Sequence, residues 1–221
     1  MENPEFILLG DSHAGAIGIA ARKNNLQFLG GPLASGREFY LPFHDHVEGK
    51  ISFRDDDMET LHRQLCSMLG VDNLLSINLP ILCTIGSGFH VAATSALWGS
   101  FMNDQRSIDD GFFQSTLFQD MCAGLFDPAR QFYKTLRDAG YNVQFALPPQ
   151  RCPDTSDVRV MLAFQSCVLS QLRDLGCSIV DTRKITASNA QQRVEFCKEN
   201  DPVHANDAFG EAVLKAAGYL D

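Results

Sequence analysis

The chain has no long hydrophobic run. Stretches such as Phe6-Ile7-Leu8-Leu9 fall far short of the roughly 20 apolar residues that cross a bilayer. It is also short of positive charge. Eighteen Lys and Arg against 27 Asp and Glu leave a net charge of −9 and a pI near 5.0, which excludes the basic surface that nucleic acid or an anionic membrane requires. No Cys-x-x-Cys pair occurs. The seven cysteines, Cys66, Cys83, Cys122, Cys152, Cys167, Cys177 and Cys197, are odd in number and scattered, so neither a disulfide framework nor a zinc site is expected. The acidic opening Met1-Glu2-Asn3-Pro4-Glu5 lacks the basic segment of an export signal, and the expectation is a cytoplasmic protein with reduced thiols.

Two nucleotide signatures are missing as well. After the first apolar run the glycines are Gly10, Gly15 and Gly18, and no lysine precedes Lys23. Neither the G-x-G-x-x-G fingerprint nor the G-x-x-x-x-G-K-[ST] loop is met.

What is present is alternation. Short apolar runs at 6–9, 26–29, 80–85, 142–147 and 177–180 read as strands. Longer helical patterns cover about 14–24, 55–69, 113–139, 158–175 and 207–217. Gly30-Gly31-Pro32 is expected to stop the second strand, 49–53 reads as an inserted strand, and Asp127-Pro128 is a candidate break in the long helix. Near-continuous apolar strands separated by helices predict a parallel sheet covered on both faces, in one α/β domain. At 221 residues and 45% hydrophobic, the chain can bury a substantial core.

In such a sheet the chemistry gathers at the carboxyl ends of the strands. Gly10-Asp11-Ser12-His13 stands at the first of them. A serine there is either a helix N-cap or a nucleophile, and a nucleophile needs a base and an acid to orient it. Asn200-Asp201-Pro202-Val203-His204, just ahead of the last helix, offers both: a spacing of three in a turn can set the Asp201 carboxylate on one imidazole nitrogen of His204, leaving the other for Ser12. His44-Asp45-His46 puts two imidazoles on one face of a strand without a third ligand at a recognisable spacing, so no metal is expected. Arg37 and Arg151 lie near strand ends, where a surface salt bridge or contact with a polar substrate are the two readings. Phe112, Phe113 and Phe118 are expected in the core or along a cleft wall.

The pair Gly10-Asp11-Ser12 behind a first strand and Asp201-x-x-His204 before a last helix resembles the SGNH hydrolases, also called GDSL esterases and lipases. The resemblance extends to the order of strands and helices over nearly the whole chain. It implies a flavodoxin-like three-layer α/β/α sandwich with a mainly parallel sheet, spanning residues 1–221 as a single domain. It also implies Ser12 as nucleophile, His204 as general base and Asp201 as the residue orienting it, with no cofactor. The substrate implied is a small-molecule or carbohydrate acyl ester, with O-acetyl groups common among relatives. The family completes its oxyanion hole with a glycine after the second strand, for which Gly36 and Gly31 are candidates, and with an asparagine after the third. There this sequence departs. Thr84-Ile85-Gly86-Ser87-Gly88-Phe89 puts Gly88 where the asparagine is expected, leaving its backbone, His90 or the more distant Asn103 to supply the missing donor. An acyltransferase, or a non-catalytic member that binds a carbohydrate or a protein partner through the same cleft, is the alternative this departure admits.

Overall fold

The computed structural model describes residues 4–104 and 107–221. In chain order its elements are β1 (Phe6–Gly10), α1 (Ala14–Lys23), β2 (Phe28–Pro32), the hairpin β3 (His44–Val47) and β4 (Lys50–Phe53), and α2 (Asp56–Leu69). These are followed by β5 (Ile81–Cys83), the short α3 (Phe89–Ala92) and α4 (Ser95–Trp98), α5 (Thr116–Asp138), β6 (Val143–Ala146), α6 (Val158–Asp174), β7 (Ser178–Val180), α7 (Arg183–Thr186) and α8 (Asp207–Ala217).

The five strands β2-β1-β5-β6-β7 form one wholly parallel sheet. This is the flavodoxin-like order, in which the chain leaves β1 in one direction to reach β2 and returns past it to reach β5. All five residues of β1 are buried, and alternation sorts them. Ile7 and Leu9 face one core with Phe126, Phe132, Tyr133 and Phe164 of α5 and α6. Phe6 and Leu8 face a second core with Ile17 and Ala21 of α1 and Phe209 and Val213 of α8. The result is three layers, with α1 and α8 on one face of the sheet and α5 and α6 on the other. No described helix is long and apolar enough to cross a membrane.

Three local expectations are revised. Gly30, Gly31 and Pro32 lie inside β2, paired with Leu8, Leu9 and Gly10. An edge strand with one neighbour tolerates a proline and glycines that a central strand would not. Pro128 sits inside an unbroken α5. Seven buried side chains of that helix, from Phe118 to Leu136, hold it to the core, and tertiary packing outweighs one lost backbone hydrogen bond. The inserted strand is one arm of a hairpin, β3 against β4, turning at Glu48 and Gly49, both with positive φ. The acid-rich start of α2 behaves as its composition implies. Asp55 caps the helix by accepting from the N–H groups of Asp57 and Met58 at 3.0 Å each.

Candidate active site

The carboxyl ends of β1 and β5 define the point where the strand order reverses, and both glycine-bearing loops that leave them converge there. At the tip of β1 a Cβ on Gly10 would lie 2.0 Å from Thr84 Oγ1, so only glycine allows the two strand ends to approach this closely. Asp11 follows, fully buried. One of its carboxylate oxygens accepts from the His13 N–H at 3.0 Å and from Thr84 Oγ1 at 3.1 Å; the other accepts from Ser87 Oγ at 2.9 Å. Asp11 thereby ties the β1 turn to the β5 loop. Burial pushes its carboxyl up to about 6, against the opposing pull of those three donors.

That shift has a consequence for stability. The folded chain holds the Asp11 proton up to about pH 6, whereas an unfolded chain releases it near 4. The group therefore favours folding at low pH, and that advantage is lost as the pH rises from about 4 to about 6. Asp11→Asn, which keeps a carbonyl for His13 and Thr84 and can donate to a reoriented Ser87 hydroxyl, should be more stable than the parent at pH 7 by up to about 3 kcal/mol. The gap should close toward pH 4. Urea midpoints of both proteins between pH 4 and 8 measure it.

Ser12 comes next. It is not the N-cap of α1, a position that His13 occupies without a side-chain cap. Its Oγ instead meets His204 Nε2 at 2.8 Å, and His204 Nδ1 meets Asp201 Oδ2 at 2.8 Å. The other oxygen of Asp201 accepts from the N–H groups of Val203 and His204, both at 2.9 Å. Burial opposes the charge on Asp201, but these N–H groups and the imidazole outweigh it and hold the carboxyl well below the usual carboxylate range.

The turn that carries Asp201 and His204 is clamped from outside. Cys197 and Ala205 form an antiparallel bridge, and Asn206 caps α8 by accepting from the Phe209 N–H at 3.2 Å. Arg151, beyond the end of β6, donates from one Nη1 to the carbonyls of His204 at 2.6 Å and Lys198 at 3.2 Å. It is neither a surface salt bridge nor a free substrate contact but the brace of this turn. Nothing in the sequence around Arg151 announces that role, since its partners are backbone carbonyls 47 and 53 positions away.

Two more imidazoles crowd the serine. The His13 ring lies 5.5 Å from that of His204 and 5.9 Å, edge-on, from that of His90. Burial drives His13 down to about 3, helped by His204. Burial likewise drives His90 down to about 4, helped by His13 and His204 against the pull of Asp11. Both are neutral hydrogen-bonding groups near pH 7.

Of the oxyanion candidates, Gly36 and Gly88 come together. A Cβ on Gly36 would sit 3.2 Å from Gly88 Cα and 3.3 Å from Asp11 Oδ2, and one on Gly88 would sit 3.3 Å from Gly36 Cα. A side chain at 88 would press on the turn at Gly36. Close approach, not backbone conformation, is what position 88 demands: Gly88 has φ −68°, and the positive φ of +75° belongs to Gly86. Among the described residues, no backbone acceptor is paired with the N–H of Ser12, Gly36 or Gly88. Gly31 lies within β2 and borders a different cavity, beside Leu61, Leu65 and Met68 of α2. Asn103 closes a loop, its Oδ1 accepting from the Ser107 N–H at 3.0 Å. In the β3 hairpin Asp45 is engaged in a two-pronged pair with Arg54 at 2.7 and 3.1 Å. Among the described residues, no three His, Cys, Asp or Glu side chains gather as a metal site. Phe112, Phe113 and Phe118 belong to one aromatic cluster with Trp98 and Phe101.

Comparison with known proteins agrees with this geometry at the level of the fold. No family model and no curated protein sequence matches the chain. Solved structures do. A protein described as lipolytic and of the G-D-S-L family, from Desulfitobacterium hafniense, superposes with a TM-score of 0.52 over 97% of this chain and 98% of its own, at 7% identity. An acetyl xylan esterase gives 0.51 over 96% and 98% at 12% identity. A lipase/acylhydrolase from Enterococcus faecalis gives 0.50 over 98% and 95% at 11% identity. The chain has the SGNH-hydrolase fold over nearly its whole length.

Proposed function

We propose that this chain is a carboxylic ester hydrolase that works through an acyl-enzyme on Ser12. The observation that carries the reading is the unbroken relay from Asp201 through His204 to Ser12, two contacts of 2.8 Å, at the carboxyl edge of a sheet with the SGNH-hydrolase order. In this reading His204 Nε2 takes the Ser12 proton as Oγ attacks the ester carbonyl. The oxyanion is met by the N–H groups of Ser12, Gly36 and Gly88. The imidazolium, steadied by Asp201, returns its proton to the leaving alcohol, and water then repeats the sequence on the acyl-Ser12 ester. An alcohol taking the place of that water would make the same site an acyltransferase. The likeness in fold to an acetyl xylan esterase makes a small acyl group such as acetyl the first substrate class to test.

A fluorophosphonate probe tests the proposal. The intact protein should be labelled stoichiometrically on Ser12 and Ser12→Ala not at all, with hydrolysis of p-nitrophenyl acetate lost in parallel. A folded, unlabelled parent would make this a binding protein built on a hydrolase fold.

A further inference from the structure

The relay accounts for one wall of a cleft of about 480 Å³ that opens beside it. Ser12 and His204 border this cleft, but Gly36, Gly88 and His90 do not. It is therefore a space beside Ser12 and His204 that is not bordered by Gly36 or Gly88. In the collapse of a tetrahedral intermediate the carbonyl–alkoxide bond breaks, the acyl carbon stays on Ser12 Oγ, and the proton on His204 Nε2 passes to the departing alkoxide oxygen. The group that departs must lie next to His204. The cleft is where its remainder goes.

The walls say what kind of alcohol fits. Gly15, Ala16 and Ile19 of α1, with Pro149 and Ala205 opposite, present carbon. Ile19 keeps 53% of its surface exposed, so its apolar side chain is open to a ligand in the cleft. The polar side chains along the cleft are already engaged. Asn206 accepts from Phe209 and donates to the Glu195 carbonyl at 2.8 Å, Asp207 is paired with Lys23 at 2.8 Å, and the Lys198 ammonium lies 3.6 Å from Asp201. His13, 5% exposed and with its Nδ1 buried without a partner, is a further hydrogen-bonding side chain along the cleft. A carbohydrate displaces ordered water and needs several side chains in return; an alkyl or benzylic alcohol needs only contact.

On the hydrolase reading above, we infer that this cleft receives the alcohol half of the ester and selects an apolar alcohol over a sugar. The test uses acetates of primary alcohols, so that leaving-group chemistry stays level: methyl, hexyl and benzyl acetate and a methyl 6-O-acetylglucoside. For the parent, kcat/KM on hexyl and benzyl acetate should exceed that on the sugar acetate by roughly tenfold or more, the scale of burying two or more methylenes. Ile19→Asn, at an exposed position, and Ala16→Phe, which fills the trench, should each cut the hexyl-to-methyl ratio several-fold. Sugar acetate turned over as well as hexyl acetate, or a ratio that neither variant moves, overturns the inference while Ser12-dependent hydrolysis of methyl acetate leaves the enzyme assignment standing. No Ser12-dependent hydrolysis of any acetate overturns both.

Discussion

Asp201→Asn should lower turnover of p-nitrophenyl acetate by about 10⁴-fold, the scale seen when the equivalent change is made in a Ser-His-Asp relay, with little change in melting temperature. The geometry separates the two outcomes. One oxygen of Asp201 accepts from the Val203 and His204 N–H groups, and an asparagine carbonyl can keep both, so the turn survives. The other oxygen faces His204 Nδ1. An amide NH₂ placed there can only donate, which obliges Nδ1 to accept and moves the ring proton to Nε2. His204 then offers Ser12 a donor where it needs an acceptor. Because Asp201 is held well below the usual carboxylate range, it stays ionised throughout an ordinary assay, and a large loss should be present at both pH 6 and pH 8. A loss that vanished at one end of that range would assign the orienting role elsewhere.

The second large effect is expected at a glycine. Gly88→Val should reduce kcat by about 10²–10³-fold, the cost of one oxyanion donor, while His90→Ala should cost far less. The Cβ of the valine would stand 3.3 Å from Gly36 Cα, 3.4 Å from its carbonyl carbon and 3.5 Å from its oxygen. The two branches beyond that Cβ would have to displace the turn at 36. The N–H groups of Gly36 and Gly88, two of the three assigned to the oxyanion, would move together. Asparagine at 88, the residue the family's pattern asks for, meets the same obstacle at its own Cβ and should not raise activity. Equal damage from His90→Ala would instead make the neutral His90 imidazole the donor. Single-turnover rates on a fixed ester, with circular dichroism to confirm folding, decide between them.

The strands and long helices were legible because their residues obey simple periods: Phe6 to Leu9 is apolar throughout since both its faces are covered, and α2 and α8 carry caps at Asp55 and Asn206 with glycines at their ends. Ser12 and His204 were legible for a different reason, as each lies in a polar stretch next to an element boundary. Arg151 was not, because a guanidinium holding backbone carbonyls leaves no complementary side chain to notice. Nor was the role of Thr84 and Ser87, which acquire meaning only when β5 lies beside β1 and brings them to Asp11. The choice between Gly31 and Gly36 turned on where β2 ends. Local sequence sets that boundary two or three residues early because it cannot register that β2 is an edge strand.

The relay joins residues 192 positions apart, and this spacing sets an order of events during synthesis. β1, β2, β5, β6 and β7 all lie within residues 6–180, so every strand of the sheet is synthesised before His204. The carbonyl partners of Arg151 at 198 and 204 come after the sheet, and Asp207, the partner of Lys23, comes later still. A chain ending after β7 but before His204 would contain every strand of the sheet and Ser12 but not the imidazole that meets Ser12 Oγ at 2.8 Å. On the proposed mechanism, the Ser12 hydroxyl gains its proton acceptor only with the segment that carries His204.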